Sequence, residues 1–248
     1  MRLSLAALLI LARLAWAQED PLLARARVAV NEYGSGLPDY VCQESIERFT
    51  ISGLGQRSRV VQLDTVTAEV VYERGKESFR NLRVNDKPVA QPTGGIWSVG
   101  FFGPMMLSLF DPRIPAEFRR RGTSREAGRS AVRYEFEVTA DKSNWQLTGE
   151  GINLKTAYRG SIWVEASTGR ILRHEIVALD LPSKFYYSGG SMKVHYGAVQ
   201  INGREYLLPR TTESSMCPRN AFACERNIAQ YSGCHKFGAE STLTFDEE

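Results

Sequence analysis

The chain has 248 residues, 43% of them hydrophobic, with 31 Lys and Arg against 28 Asp and Glu. A formal net charge of +3 leaves no global basic footprint for nucleic acid. About 230 residues remain once a leader is removed, enough to bury one sizeable core or two small ones.

That leader is read from "MRLSLAALLILARLAWAQED". Arg2 precedes an apolar run from Leu3 to Ala12, and Ala15-Trp16-Ala17 supplies a small-x-small cleavage signal, with the cut between Ala17 and Gln18. The run is about half of the roughly 20 residues a membrane-spanning helix needs. Residues 1–17 are therefore expected to be a cleaved signal peptide and 18–248 a single exported domain, periplasmic or secreted. Removal of Arg2 and Arg13 brings the net charge to +1. No cysteine follows the cut, so no acyl anchor is expected there.

Next comes a helix. Asp20 is placed as N-cap, Pro21 as the first helical residue, and Leu22, Ala26, Ala29, Val30 and Tyr33 share one face. Gly34 is expected to close it in a left-handed cap. The period then changes to two. Val66, Ala68, Val70 and Tyr72 alternate with more polar neighbours, and in "VRYEFEVT" Val132, Tyr134, Phe136 and Val138 alternate with Arg133, Glu135 and Glu137. "GSIWVEASTGRILRHEIVAL" turns at Ser167–Arg170, and "KVHYGAVQINGREYLLP" turns at Asn202-Gly203. "FGAESTLTF" reads as a closing strand. Short-connected, half-polar strands predict an α+β fold: a large curved antiparallel sheet around a few helices.

One segment breaks the alternation. Gly94–Pro112 carries Trp97, Phe101, Phe102, Met105, Met106, Leu109 and Phe110 with no charge before Asp111. A helical turn can start at Pro104. Such a helix would plug the concave face of the sheet, or line a site for an apolar ligand, since Met and aromatic side chains make adaptable walls.

The hairpin "GSIWVEASTGRILR" and the flanking "LPDYVCQESIERF", "LFDPRIPAEF" and "FGAESTLTF" resemble the LolA/LppX-like half-barrels that carry lipoproteins or lipids across a periplasm. The resemblance implies a non-enzymatic carrier holding a lipid or acylated protein under the curved sheet, with hand-off to a membrane acceptor. An envelope sensor or scaffold binding a protein partner is the alternative on the same fold. For the lining we select Trp97, Phe101, Phe102, Met105, Met106 and Leu109 from the insertion. Tyr134, Phe136, Ile162, Val164 and Tyr196 are selected from strands.

Signals for other chemistry are sparse. His174, His195 and His235 lack His-Glu-x-x-His spacing, and the first two are expected at the solvent edge of strands. "GTSREAGRS" (Gly122–Ser130) has five residues between its glycines where a phosphate loop has four, and Arg129 stands in the lysine position. No Gly-x-Ser-x-Gly elbow is present. Glu135 and Glu137 share a strand face, and Glu165 and Glu175 could face each other across a hairpin, as carboxylate pairs do in most sheets. The basic cluster Arg119–Gly122 fits either a helix C-terminus or the start of a strand, and could meet anionic headgroups or an acidic partner. No cofactor or metal is expected.

The spacing Cys217-x6-Cys224-x9-Cys234-His235 lacks the close ligand pairs of a zinc knuckle. In an oxidising compartment the four cysteines are expected to form disulfides. Of the three connectivities we adopt Cys217–Cys224 with Cys42–Cys234.

Overall fold

A computed structural model describes residues 19–53, 58–91, 96, 104–114 and 116–237. The expected leader lies outside these residues, as does nearly all of the expected closing strand "FGAESTLTF". Helix α1 spans Pro21–Gly36. The Asp20 carboxylate accepts a hydrogen bond from the Leu22 amide at 2.9 Å. This satisfies one of the amides that a helix start leaves unpaired. Leu22, Leu23, Ala26 and Val30 form its buried stripe. Gly34 does not terminate the helix, which runs on to Gly36 and is capped when the Leu37 amide donates to the Tyr33 carbonyl. Instead, Gly34 is a point of close approach: a Cβ there would lie 2.4 Å from the Leu107 side chain on α2 (Pro104–Leu109).

The strands are β1 (Tyr40–Ser52), β2 (Arg59–Glu73), β3 (Lys76–Val84), β4 (Lys87–Pro88), β5 (Arg119–Glu126) and β6 (Arg129–Val138). They continue with β7 (Gln146–Gly149), β8 (Ile152–Lys155), β9 (Ala157–Glu165), β10 (Ile171–Leu179), β11 (Tyr187–Ile201), β12 (Arg204–Pro218) and β13 (Ala223–Lys236). Eleven of them form one open sheet in the order β4-β3-β2-β1-β13-β12-β11-β10-β9-β6-β5, while β7 and β8 make a separate hairpin. Every neighbouring pair is antiparallel. The β11–β12 turn uses Asn202 and Gly203 at φ 49° and 76°, the left-handed pair a tight hairpin needs. Gly169 (φ 77°) serves the β9–β10 turn, where Thr168 also donates to the Glu165 carboxylate.

The two faces of the sheet differ. On the concave face, both helices pack with strand residues into one apolar cluster that includes Tyr40, Val70, Tyr134, Ile162, Val194 and Leu208. The fold is thus an α+β half-barrel wrapped around α1 and α2. Close packing extends to the backbone: a Cβ at Gly160 would lie 2.1 Å from the Glu175 carbonyl oxygen and 2.6 Å from the Phe136 ring. On the convex face, ion pairs run across the strands. Arg173 meets Glu126 and Glu175, Lys193 bridges Glu175 and Glu213, and Arg226 meets Glu213 at 3.0 Å. Such partly exposed pairs contribute about 0–1 kcal/mol each, so their role is to keep this face wet. The Arg119–Gly122 cluster opens strand β5 at one edge of the sheet, and Gly122–Ser130 is the β5–β6 hairpin rather than a phosphate loop.

The cysteines are joined as Cys42–Cys234, between β1 and β13, and Cys217–Cys224, across the β12–β13 hairpin. Their sequence separations are 192 and 7 residues. In the chain-entropy model the long link stabilises by about 5 kcal/mol and the short one by about 2 kcal/mol. Replacing Cys42 and Cys234 by Ser is therefore expected to lower the urea midpoint clearly more than replacing Cys217 and Cys224. Equal losses in the two double variants would contradict this ordering.

Candidate functional site

The apolar floor under the helices is the place where the sequence set the ligand. Met106, Leu109, Tyr134, Phe136, Ile162, Val164 and Tyr196 are all buried there in one cluster, with Met105 half-buried against it. Trp97, Phe101 and Phe102 lie outside the described residues. Register explains the convergence. Tyr134 on β6 is opposite Ile162 on β9, and Ile162 is opposite His174 on β10. Directly opposed residues of an antiparallel pair share a face. Burial and the Asp20 carboxylate push the Tyr134 phenol up to about 12.

A cavity of about 190 Å³ opens beside this floor, between the C-terminal half of α1 and the β9–β10 and β11–β12 turns. Val30, Met106, Ile171 and Leu207 supply apolar wall, and Arg170, Arg204, Glu32 and Glu205 are charged residues of its lining. Arg170 donates to Glu205 at 2.7 Å, and the Arg204 guanidinium lies 5.4 Å from the Tyr206 ring centre. Of the sequence-selected ligand residues that are described, only Met106 borders this space. Arg170, Arg204 and Glu205 were missed because they lie at turns, where hydrophobic periodicity gives no signal, whereas Ala29, Val30 and Tyr33 belong to the helical stripe already legible in the sequence. A larger open groove of about 880 Å³ reaches Phe136 but is lined mainly by charged side chains, among them Arg121, Glu135, Arg159 and Glu175.

His174 is not at a solvent edge. It is 2% exposed, 5.9 Å from the Phe136 ring, and neither ring nitrogen has a hydrogen-bond partner. The reason is parity: His174 shares the inward face with Ile176, two residues on. Burial lowers its pKa to about 3, so the ring is neutral. His195 is also lowered, by burial and then by Arg173, and the His235 ring pairs with the Gly233 carbonyl at 2.9 Å. Glu165 and Glu175 do not face each other: Glu165 is opposite Ala131, and Glu175 is opposite Ser161 and Lys193. The Glu135 carboxylate is held below its ordinary range by hydrogen bonds from Arg133 and Arg121. That suits an ion pair and not a proton donor. Among the described residues no group of three or more His, Cys, Asp or Glu is placed to hold a metal. No helix among them is long and apolar enough to cross a membrane.

The concave face also holds polar groups near β1. Arg48 donates to both oxygens of Asp64, one at 2.6 Å. Glu44, 5% exposed, is opposite Tyr231. Burial raises its pKa to about 7, against the lowering effect of the Tyr231 hydroxyl and with a further push from the charge of Glu77.

No protein-family model matches the chain, and no curated protein matches it. Solved structures do align over most of its length. A putative outer membrane lipoprotein-sorting protein domain from Vibrio parahaemolyticus is 12% identical, with a TM-score of 0.40, over 90% of this chain and 92% of that one. A LolA superfamily protein from Nitrosomonas europaea is 9% identical, with a TM-score of 0.33, over 91% and 96%. The lipoprotein LppX of Mycobacterium tuberculosis is 12% identical, with a TM-score of 0.30, over 85% and 93%.

His174 and Glu44, both buried, bias stability in opposite directions. An unfolded His174 titrates near 6.5 and the folded one near 3, so the unfolded state binds more protons in between. Stability is lost as pH falls through that window. His174→Leu should gain about 2 kcal/mol relative to the native chain between pH 7.5 and pH 4.5, measured by urea unfolding. Glu44 goes from 4.5 unfolded to about 7 folded, so the folded state holds the extra proton and stability is lost as pH rises through that range. Glu44→Gln should therefore gain roughly 2 kcal/mol relative to the native chain between pH 5 and pH 8. A pH-independent difference in either variant would show that the group does not titrate as its surroundings dictate.

Proposed function

We propose that the protein is an exported, non-enzymatic carrier or binding protein that holds a lipid or acylated ligand against the concave face of its sheet. The observation that supports this best is the cavity beside α1, which reaches from charged residues at the turns to Met106 within the apolar floor. At about 190 Å³ it is smaller than the roughly 300–1,000 Å³ of ordinary ligand sites. Loading a long chain then requires widening, and α2 is the element suited to yield. It has six residues, too few to hold a helix alone, and its buried Met106 and Leu109 fill the space a chain would take. Displacing them by an acyl chain exchanges one apolar contact for another, so the net cost is small. The newly exposed wall would be Tyr134, Phe136, Ile162, Val164 and Tyr196. Charged groups at the mouth would remain with the polar end of the ligand. Two disulfides fit an oxidising compartment.

Lipid extraction and mass spectrometry of protein purified from its native envelope is expected to recover a reproducible lipid. Gly36 lines the cavity, and a Cβ there would meet nothing nearer than the tip of Arg204 at 3.9 Å. Gly36→Trp should therefore fold while reducing uptake of a fluorescent fatty acid about tenfold, the loss of one well-buried contact. Absence of both lipid and probe uptake in the native protein would refute the carrier reading. A stable co-purifying protein would move it to the sensor or scaffold class.

A further inference from the structure

His174 is a polar residue of the concave floor that the carrier reading leaves without a role. It is 2% exposed, and neither ring nitrogen has a hydrogen-bond partner among the described residues. A buried polar group left unpaired forfeits the bonds it would make with water, so it weakens the fold unless something answers it. Its immediate surroundings do not. Ile162 on β9 and Val194 on β11 are its backbone partners, Ile176 shares its face, and the Phe136 ring centre is 5.9 Å away. A water molecule in such company would find too few polar partners to be held. The flanking Arg173 and Glu175 are committed to each other and to Glu126 and Lys193 on the convex face.

Other polar groups in the same row of opposed residues are provided for. The row runs Tyr134, Ile162, His174, Val194, Thr212 across five strands. The Tyr134 phenol has the Asp20 carboxylate beside it, and Thr212 shares a hydrogen bond with the Tyr231 hydroxyl at 3.4 Å. His174, between them, has nothing of the kind. On β11 the Tyr196 hydroxyl, buried in the same cluster, also lacks a partner among the described residues. Both groups lie on the route a ligand would take. Ile171 is part of the cavity wall, and His174 is three residues, roughly 10 Å, further along β10. Tyr196 is within electrostatic reach of Tyr33, another wall residue. A chain whose polar end stays at the turns with Arg170 and Arg204 would therefore meet His174 part-way along its length, inside the cluster that α2 completes.

We propose that the ligand is an acyl chain carrying a hydroxyl group part-way along it, and that His174 is the residue that selects it. This rests on the reading of the protein as a carrier. A hydroxyl both donates and accepts, so it pairs with either nitrogen of a neutral imidazole, in either tautomer. An ionised group would find no counter-charge among Phe136, Ile162, Ile176 and Val194. A plain chain leaves the ring as it stands and gains nothing from it. A site with a buried polar group of this kind discriminates against the analogue that lacks the matching group.

Equilibrium binding of stearate, and of hydroxystearates substituted near the middle of the chain, measures the selection. The best-placed hydroxystearate should bind the native protein about fivefold tighter than stearate, the effect of one net hydrogen bond between neutral groups. His174→Leu should reverse that order, because the hydroxyl would then be buried without a partner, while stearate binds at least as tightly as before. Nitrogen NMR of the His174 ring in the native chain gives a reading that does not depend on how the variant folds. Its signals should move further with the hydroxystearate than with stearate. Equal affinity for all the chains, with no difference in the ring signals, overturns the proposal and leaves the carrier reading standing. A preference for the hydroxyl that persists in His174→Leu assigns it to another residue and overturns it as well. Binding of neither stearate nor hydroxystearate removes the carrier reading and this one together.

Discussion

Pairing of the first strand with the last joins what would otherwise be two separate meanders. β1 and β13 are matched from Tyr40–Lys236 to Ser52–Ala223, so β1–β4 and the strands β5, β6 and β9–β13 become one sheet. Each meander alone would leave a long strand with an open edge and half of an apolar face in water. Together they bring Tyr40, Val66, Val70 and Tyr72 from one side and Tyr134, Ile162, Val194 and Tyr231 from the other onto the same helices. Contacts this distant in sequence carry a large loop-closure cost, and they form only when the burial they complete exceeds it. The Cys42–Cys234 link lies at this seam and holds it closed once formed.

That seam also accounts for the asymmetry of the molecule. The concave side has little room, because α1 and the six-residue α2 already fill much of it, and small residues bring backbones close at Gly34 and Gly160. The convex side is a field of alternating charge, with Trp163 lying 4.2 Å from the Arg173 guanidinium and 5.9 Å from that of Arg133. A sheet with one apolar and one ionic face can close around a ligand in only one sense.

Much of the architecture was legible in residue order. Alternation in "VRYEFEVT", the Asn202-Gly203 turn and the Asp20-Pro21 helix start each rest on local chemistry that the structure retains. The errors fell where the deciding neighbour is remote. Gly34 reads as a helix stop until Leu107 of α2 is set against it. His174 reads as a wet strand residue because charged Arg173 and Glu175 flank it, yet these point outward while His174 points into the core. Glu44 gives no local hint of burial, since its cover comes from strands far along the chain. The cavity beside α1 joins the helical stripe Ala29, Val30 and Tyr33 to residues at and beside two turns, and periodicity along the chain does not bring those together.

The sequence by itself determined the first helix, several of the strands, and which residues face the same way along them. These depend on backbone preferences and side-chain alternation within about ten residues, and nothing distant can easily override them. Tertiary structure alone decided the register in which β1 lies beside β13, that the described ones among the selected apolar side chains pack together with α1 and α2, and that the open space lies at their margin. It also decided that Phe222, in a loop the sequence marks only as a disulfide-closed turn, stands fully in water. Exposure and cavity volume belong to the arrangement of whole elements, and arrangement is set by the burial of one face against another.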